Sequence, residues 1–352
     1  IGAPFDSPIV GTPPEGGEIV VLDDYEIASL MSFALTNAPP DEALLEAAAA
    51  GRLRDADERA AQASRLMDQS HDVWRTFFWE WLHMSRFDPQ VEALAIDGAL
   101  AAAMREEYEE FIGRVVVDER GTLDDVFTSA SSWASPELAE FYGVSHSGSG
   151  LQPIDFDPSE RAGVLTQAAW LVSHGSRDDE YVVRRGMGVF LETLCRDLTP
   201  PDIDVNAAQA ELTALDASAR EKSEARQASD ICGACHRVPD NIGLAFEAFD
   251  AMGRARSEYL NGEPIDSNAT VPGIGSVESA ADLGYGLVEA TEFQTCFVRR
   301  VAHKMLGADL GENSAWINDV MDEFIANDRS IEALVLALVR HPGFIERSKG
   351  GE

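Results

Sequence analysis

Apolar residues recur at three- and four-residue intervals along most of the chain, the spacing that lines one face of an α-helix. Over residues 24–35, Ile27, Leu30, Met31 and Ala34 fall on one face, and Asn37-Ala-Pro-Pro40 stops the pattern. Further helices are expected over 41–50, closed by Gly51, and over 56–69 and 71–84. The last of these carries Val73, Trp74, Phe77, Phe78, Trp81 and Leu82 on a broad apolar face. Pro89 opens the longest expected helix, running to residue 114 with Leu94, Ala101, Met104, Tyr108 and Phe111 at helical intervals. Only Val115-Val-Val117 has the composition of a strand, and it is too short to found a sheet.

The segment 144–153 is rich in Gly and Ser and is the best candidate linker or exposed loop, so a domain boundary is expected there. Beyond it, helices are expected over 159–172 and 180–198, with a break at Thr199-Pro-Pro-Asp202. A polar, charge-rich helix follows over 206–229, then a helix over 241–252 and a loop over 262–275. Four helical patterns close the chain, over 277–290, 292–306, 314–326 and 331–339. There is no internal repeat of fixed period. The expected fold is all-α and multi-helical.

Charge changes this picture more than composition does. Asp and Glu number 62 against 27 Lys and Arg, a net charge of −35 over 352 residues, which argues against nucleic acid and anionic membrane surfaces as partners. A hydrophobic content of 45% is ample for a packed core. No run approaches the roughly 20 apolar residues of a membrane helix, and no charged segment with an apolar core opens the chain. The chain starts Ile1-Gly2-Ala3-Pro4 instead of with Met, so a processed N-terminus or a longer parent polypeptide is expected.

The strongest chemical signal is Cys232-Gly-Ala-Cys235-His236. Two thiols one helical turn apart can add to the two vinyl groups on one porphyrin edge, and the histidine that follows turns its imidazole towards the iron. A zinc site would need a second ligand pair at comparable spacing, and a thioredoxin-like dithiol would need a preceding strand. The motif therefore predicts one covalently attached haem c, held by Cys232 and Cys235, with His236 as axial ligand. Residues 1–150 would then form an N-terminal helical domain and residues 151–352 a haem-binding helical domain.

The sixth iron ligand is unmarked. Met252, Met305 and His174 are candidates, with His303 a further imidazole, and an open site is the remaining alternative. Each of these residues has an ordinary structural reading as well, and His71, His83 and His146 are taken as ordinary histidines. Arg254 and Arg256, with Arg237, lie near the motif in sequence and are candidates to hold the haem propionates. Cys195 and Cys296 are a candidate disulfide, against the alternative of two buried thiols.

The run from Cys232 to Arg254 resembles the haem segment of large exported cytochrome-like proteins abundant in planctomycetes and myxobacteria, built from consecutive domains of unknown function. In that family the histidine is followed by an Asp-Pro pair, a Gly and a Leu-Glu-x-Phe-Asp-x-x-Gly-Arg pattern. Leu22 to Phe33 and Pro40 to Leu45 resemble the opening of the family's preceding helical domain. Leu165-Thr-Gln-Ala168 with Val183-Arg-Arg-Gly186 resembles its middle domain, and Pro264-Ile-Asp266 with Cys296-Phe-Val-Arg299 its C-terminal one. Asn241 stands where the family has Pro, Ala255 where an aromatic is common, and Asp178-Asp-Glu-Tyr181 replaces a Thr-Ser-Pro type of turn. The resemblance implies haem and export more than any one reaction.

The expected function is single-electron transfer in the periplasm or at the cell surface, with other redox proteins bearing a basic docking face as partners. The alternatives are a peroxidase-like or other oxidative haem enzyme, and a haem-bearing structural subunit of a larger redox assembly.

Overall fold

The computed structural model describes residues 18–176, 181–198, 217–230, 232–259, 262–307 and 315–349. The chain is predominantly helical, and among the described residues the strands form three separate two-stranded antiparallel pairs. It divides into two compact units that interleave in sequence. One comprises residues 1–78, 112–123 and 294–352, and the other residues 79–111 and 124–293. The Gly- and Ser-rich segment 144–153 lies inside the second.

In the first unit, acidic and hydroxyl residues start the helices. Asp23 accepts from the Glu26 amide while Glu26 accepts from the Asp23 amide, a reciprocal cap that opens the Asp24–Thr36 helix. Asp41, Asp55 and Ser330 cap Glu42–Ala49, Ala56–Met67 and Ile331–Arg340 with a side-chain oxygen that accepts from a first-turn amide. The core contains Ile27, Met31, Leu44 and Leu334, all fully buried, and an aromatic cluster. There Phe297 stacks on Phe78 with ring centroids 6.1 Å apart and meets Phe324 at 5.8 Å. Buried Arg59 donates to the carbonyls of Leu53, Arg54, Val339 and Arg340, closing the C-terminal end of Ile331–Arg340. Glu18–Val21 pairs with Glu346–Lys349.

The second unit holds Cys232, Cys235 and His236. One of its cores is the cluster of Trp81, Phe127 and Phe293, in which the Phe127 and Phe293 rings meet edge to face at 4.8 Å. A second is the stack of His174 on Trp170, at 4.4 Å, with Phe246 5.1 Å beyond. Ser131–Ala134 pairs with Gln152–Asp155, and Ala269–Val271 with Gly275–Val277.

Helix Tyr181–Gly188 crosses helix Pro239–Leu244 at backbone contact. A methyl on Gly186 would lie 1.8 Å from the Pro239 carbonyl oxygen, and one on Gly243 would lie 1.8 Å from that of Val182. Glycine at both places is what lets the two backbones meet. Arg185, fully buried, donates to the carbonyls of Phe249 and Asp250. Burial pushes its guanidinium pKa down to about 10, which still leaves it charged.

Several expected elements differ. The helix expected from Pro89 to residue 114 is two, Phe87–Leu94 and Gly98–Gly113, because Ala95 turns left-handed at φ 53° and Asp97 caps the restart by accepting from the Ala99 amide. Val115-Val-Val117 is not a strand: it lies in a π-helical turn, Arg114–Asp118, that buries all three valines. The helix expected over 159–172 is reduced to a 3₁₀ turn, Val164–Thr166, and a short helix, Ala168–Ser173. The helix expected over 241–252 starts at Pro239 and ends at Leu244. Beyond it the Asp250 carboxylate accepts from the amides of Met252 and Arg254, a side-chain turn that takes the place of further helix. Of the polar helix expected over 206–229, the described part is Ala219–Ala228, and residues 206–216 lie outside the described residues, as does the break at 199–202. Of the segment 178–181, where the sequence departs from the family's turn, residues 178–180 also lie outside the described residues.

Candidate functional site

Cys232 stands at the N-terminus of a single helical turn, Gly233–His236, and the amides of Cys235 and His236 both donate to its carbonyl, at 3.1 and 3.0 Å. This turn fixes the two sulfurs three residues apart on one short helix. Both are free thiols and both are half-buried. Gly233 is needed for close approach, since a methyl there would lie 2.6 Å from the Gln227 carbonyl oxygen of the preceding helix.

His236 is about a quarter exposed, and its Nδ1 lies 2.8 Å from Oδ1 of Asp240, four residues on. A carboxylate only accepts, so Nδ1 carries the proton and Nε2 is left with a lone pair. Asp240 is fully buried. Its second oxygen accepts from Ser223 Oγ at 3.0 Å and from Arg226 Nε at 2.8 Å, both on the Ala219–Ala228 helix. The Asp240 carboxylate thus joins three elements, and its burial is compensated by a charged partner and two further hydrogen bonds.

Other groups singled out in the sequence are placed as follows. His174 is buried; its Nδ1 donates to the Trp170 carbonyl at 3.0 Å, and a methyl on Gly188 would lie 2.7 Å from its Nε2. Desolvation drives its pKa down to about 3, so it is a neutral, packed imidazole. Met252 lies in a turn, not on the helix the sequence predicts; it is half-buried, and its sulfur accepts from Arg254 Nη1 at 3.2 Å. Met305 is buried in the first unit, and His303, on the same helix, is exposed.

Arg254 is exposed, with its guanidinium 4.9 Å from the centre of the Phe141 ring. Arg256 is occupied by the Glu247 carbonyl, the Tyr181 hydroxyl and an ion pair with the buried Glu247 at 3.8 Å. Arg237 is exposed and donates to the Gln227 carbonyl. Cys195 and Cys296 are both disulfide-bonded. His71 pairs with Asp118, and His146 Nε2 lies 3.1 Å from the Ala134 carbonyl.

Two features were missed in sequence. Asp240 carries a legible signal, the i,i+4 spacing from His236, whereas Ser223 and Arg226 do not, because their role depends on helix packing. The other is Glu107, fully buried in the second unit. It accepts from Ser132 Oγ at 2.8 Å and from the Tyr142 hydroxyl at 2.5 Å, and desolvation raises its pKa to about 7. Arg161, buried between the Tyr142 and Phe249 rings, opposes that rise.

Among the described residues, no group of three or more His, Cys, Asp and Glu side chains is arranged to hold a bare metal ion, and no helix is long and apolar enough to cross a membrane. The class defined so far is a predominantly helical protein with an accessible dithiol and a carboxylate-bound histidine on adjoining turns. Residues 22–144 match the family model PSD4, a protein of unknown function (DUF1592), and residues 161–259, which include Cys232, Cys235 and His236, match PSCyt3, a protein of unknown function (DUF1588). The second name hints at cytochrome-like multi-domain proteins. No curated protein and no solved structure matches the chain.

Proposed function

We propose that this chain is an exported mono-haem c-type cytochrome that transfers single electrons. The observation that carries the proposal is the donor set: two free, half-buried thiols on one helical turn, followed at once by a histidine whose Nδ1 is already committed to Asp240. Covalent haem attachment needs both thiols reduced and reachable, and axial ligation needs the Nε2 lone pair. The residues present fit those needs, with Cys232 and Cys235 as the thioether positions and His236 as the axial ligand. A haem held here would supply a one-electron iron couple. The protein's part is to hold the imidazole in one tautomer and orientation.

Export is supported by the disulfide-bonded state of Cys195 and of Cys296. For the second axial position we favour Met252. The residue is half-buried, whereas His174 is buried, has only Nε2 to offer, and that nitrogen is packed against Gly188. Arg254 remains the better propionate partner, since Arg256 is tied to Tyr181 and Glu247. The net charge of −35 suits a redox partner with a basic face.

An oxidative haem enzyme is the second reading, favoured by the buried carboxylate behind His236. Carbon monoxide added to the reduced protein separates the two. The electron-transfer reading predicts an optical spectrum unchanged in the wild type and changed in Met252→Ala; ready binding by the wild type would transfer support to the enzyme.

A further inference from the structure

We infer that Asp240 is a positioning residue that sets the reduction potential of the site, with Ser223 and Arg226 acting as its regulators. The inference rests on the haem reading above and extends it to residues that no family description assigns.

The geometry has three parts. His236 Nδ1 is 2.8 Å from Asp240 Oδ1, so the imidazole donates its proton into a carboxylate instead of a neutral carbonyl. Asp240 is fully buried, so this charge-assisted bond works at low local dielectric and is little screened by solvent. A carboxylate pulling on the Nδ1 proton makes Nε2 a stronger donor, and a stronger axial donor stabilises the higher oxidation state of the metal it ligates. On its own, Asp240 therefore holds the potential low.

The other oxygen of the same carboxylate accepts from Ser223 Oγ at 3.0 Å and from Arg226 Nε at 2.8 Å. These donors withdraw charge from the carboxylate and moderate its pull on His236. Ser223 is itself fully buried and accepts from Gln227 Nε2 at 3.1 Å, so the hydroxyl is held in place. The site thus combines one residue that lowers the potential with two that oppose it. A merely structural bond would not predict opposite effects from removing one or the other.

The test is the midpoint potential of the purified, haem-loaded protein and of two variants. In Asp240→Asn the neutral amide pulls less on the imidazole, and the reduction equilibrium should shift at least tenfold towards the reduced form, which is 59 mV for a one-electron couple. In Ser223→Ala the carboxylate is freed of one donor, and the shift should have the opposite sign and smaller size. Unchanged potentials, or shifts of the same sign in both variants, would overturn the inference. If Asp240→Asn does not assemble, a downward shift in Ser223→Ala supports the inference and the lack of one overturns it. A wild-type protein without covalent haem would instead remove the underlying reading, and that is seen before any potential is measured.

Discussion

At the scale of single residues, the second unit pairs two acids with opposite surroundings. Asp240 is met by a guanidinium, an imidazole and a hydroxyl, whereas Glu107 is met only by hydroxyls, with the Arg161 charge acting from further off. Burial therefore dominates at Glu107 and lifts its pKa from 4.5 to about 7. A raised acid pKa means that the folded state binds a proton more tightly than the unfolded state, so stability is full below pH 4.5 and declines as pH rises towards about 7. The whole effect is on the order of 3 kcal/mol. Glu107→Gln should flatten this slope relative to wild type and should be the more stable of the two on the alkaline side. Denaturant unfolding of both proteins across that pH range checks it; parallel curves would mean that Glu107 stays ionised throughout.

At the scale of elements, the crossing of Tyr181–Gly188 with Pro239–Leu244 presents Asp240 to His236 and Ser223. The contacts at Gly186 and Gly243 are with backbone, which cannot swing aside as a side chain would. Gly243→Ala should therefore cost towards the upper end of the roughly 1–3 kcal/mol of overpacked positions. The same substitution at Gly262, where a methyl would meet nothing within 4 Å but φ is +82°, tests backbone strain alone. Unfolding midpoints of the two variants compare these effects; a smaller loss at Gly243 than at Gly262 would contradict the close crossing.

This scale also shows what the sequence could reveal. Periodicity located the capped helices, such as Asp24–Thr36 and Ile331–Arg340, because their apolar stripes and start signals are local. It carried the pattern through Ala95 and past Leu244, where the chain turns although its side chains continue at helical spacing. The apolar run at 115–117 was misleading for a related reason: buried valines suit a π-turn as well as a strand. The motif at 232–236 is visible in the sequence because its five residues are contiguous, and they do share one helical turn. The carboxylate network behind it is not visible there, because Ser223 and Arg226 act through tertiary packing.

Across the whole molecule, the four cysteines occupy two chemical states. Cys232 and Cys235 are free thiols on an accessible turn, and Cys195 and Cys296 are disulfide-bonded. If the free pair receives haem and Cys195 and Cys296 stay disulfide-bonded, no cysteine of the mature protein remains reactive. The intact mass of the denatured, unreduced protein after exposure to a thiol-alkylating reagent tests this in one step. The expected mass is that of the chain plus one haem, with no alkyl group added. A chain without haem that takes up two alkyl groups would contradict it, and would leave Cys232 and Cys235 as a dithiol without a cofactor.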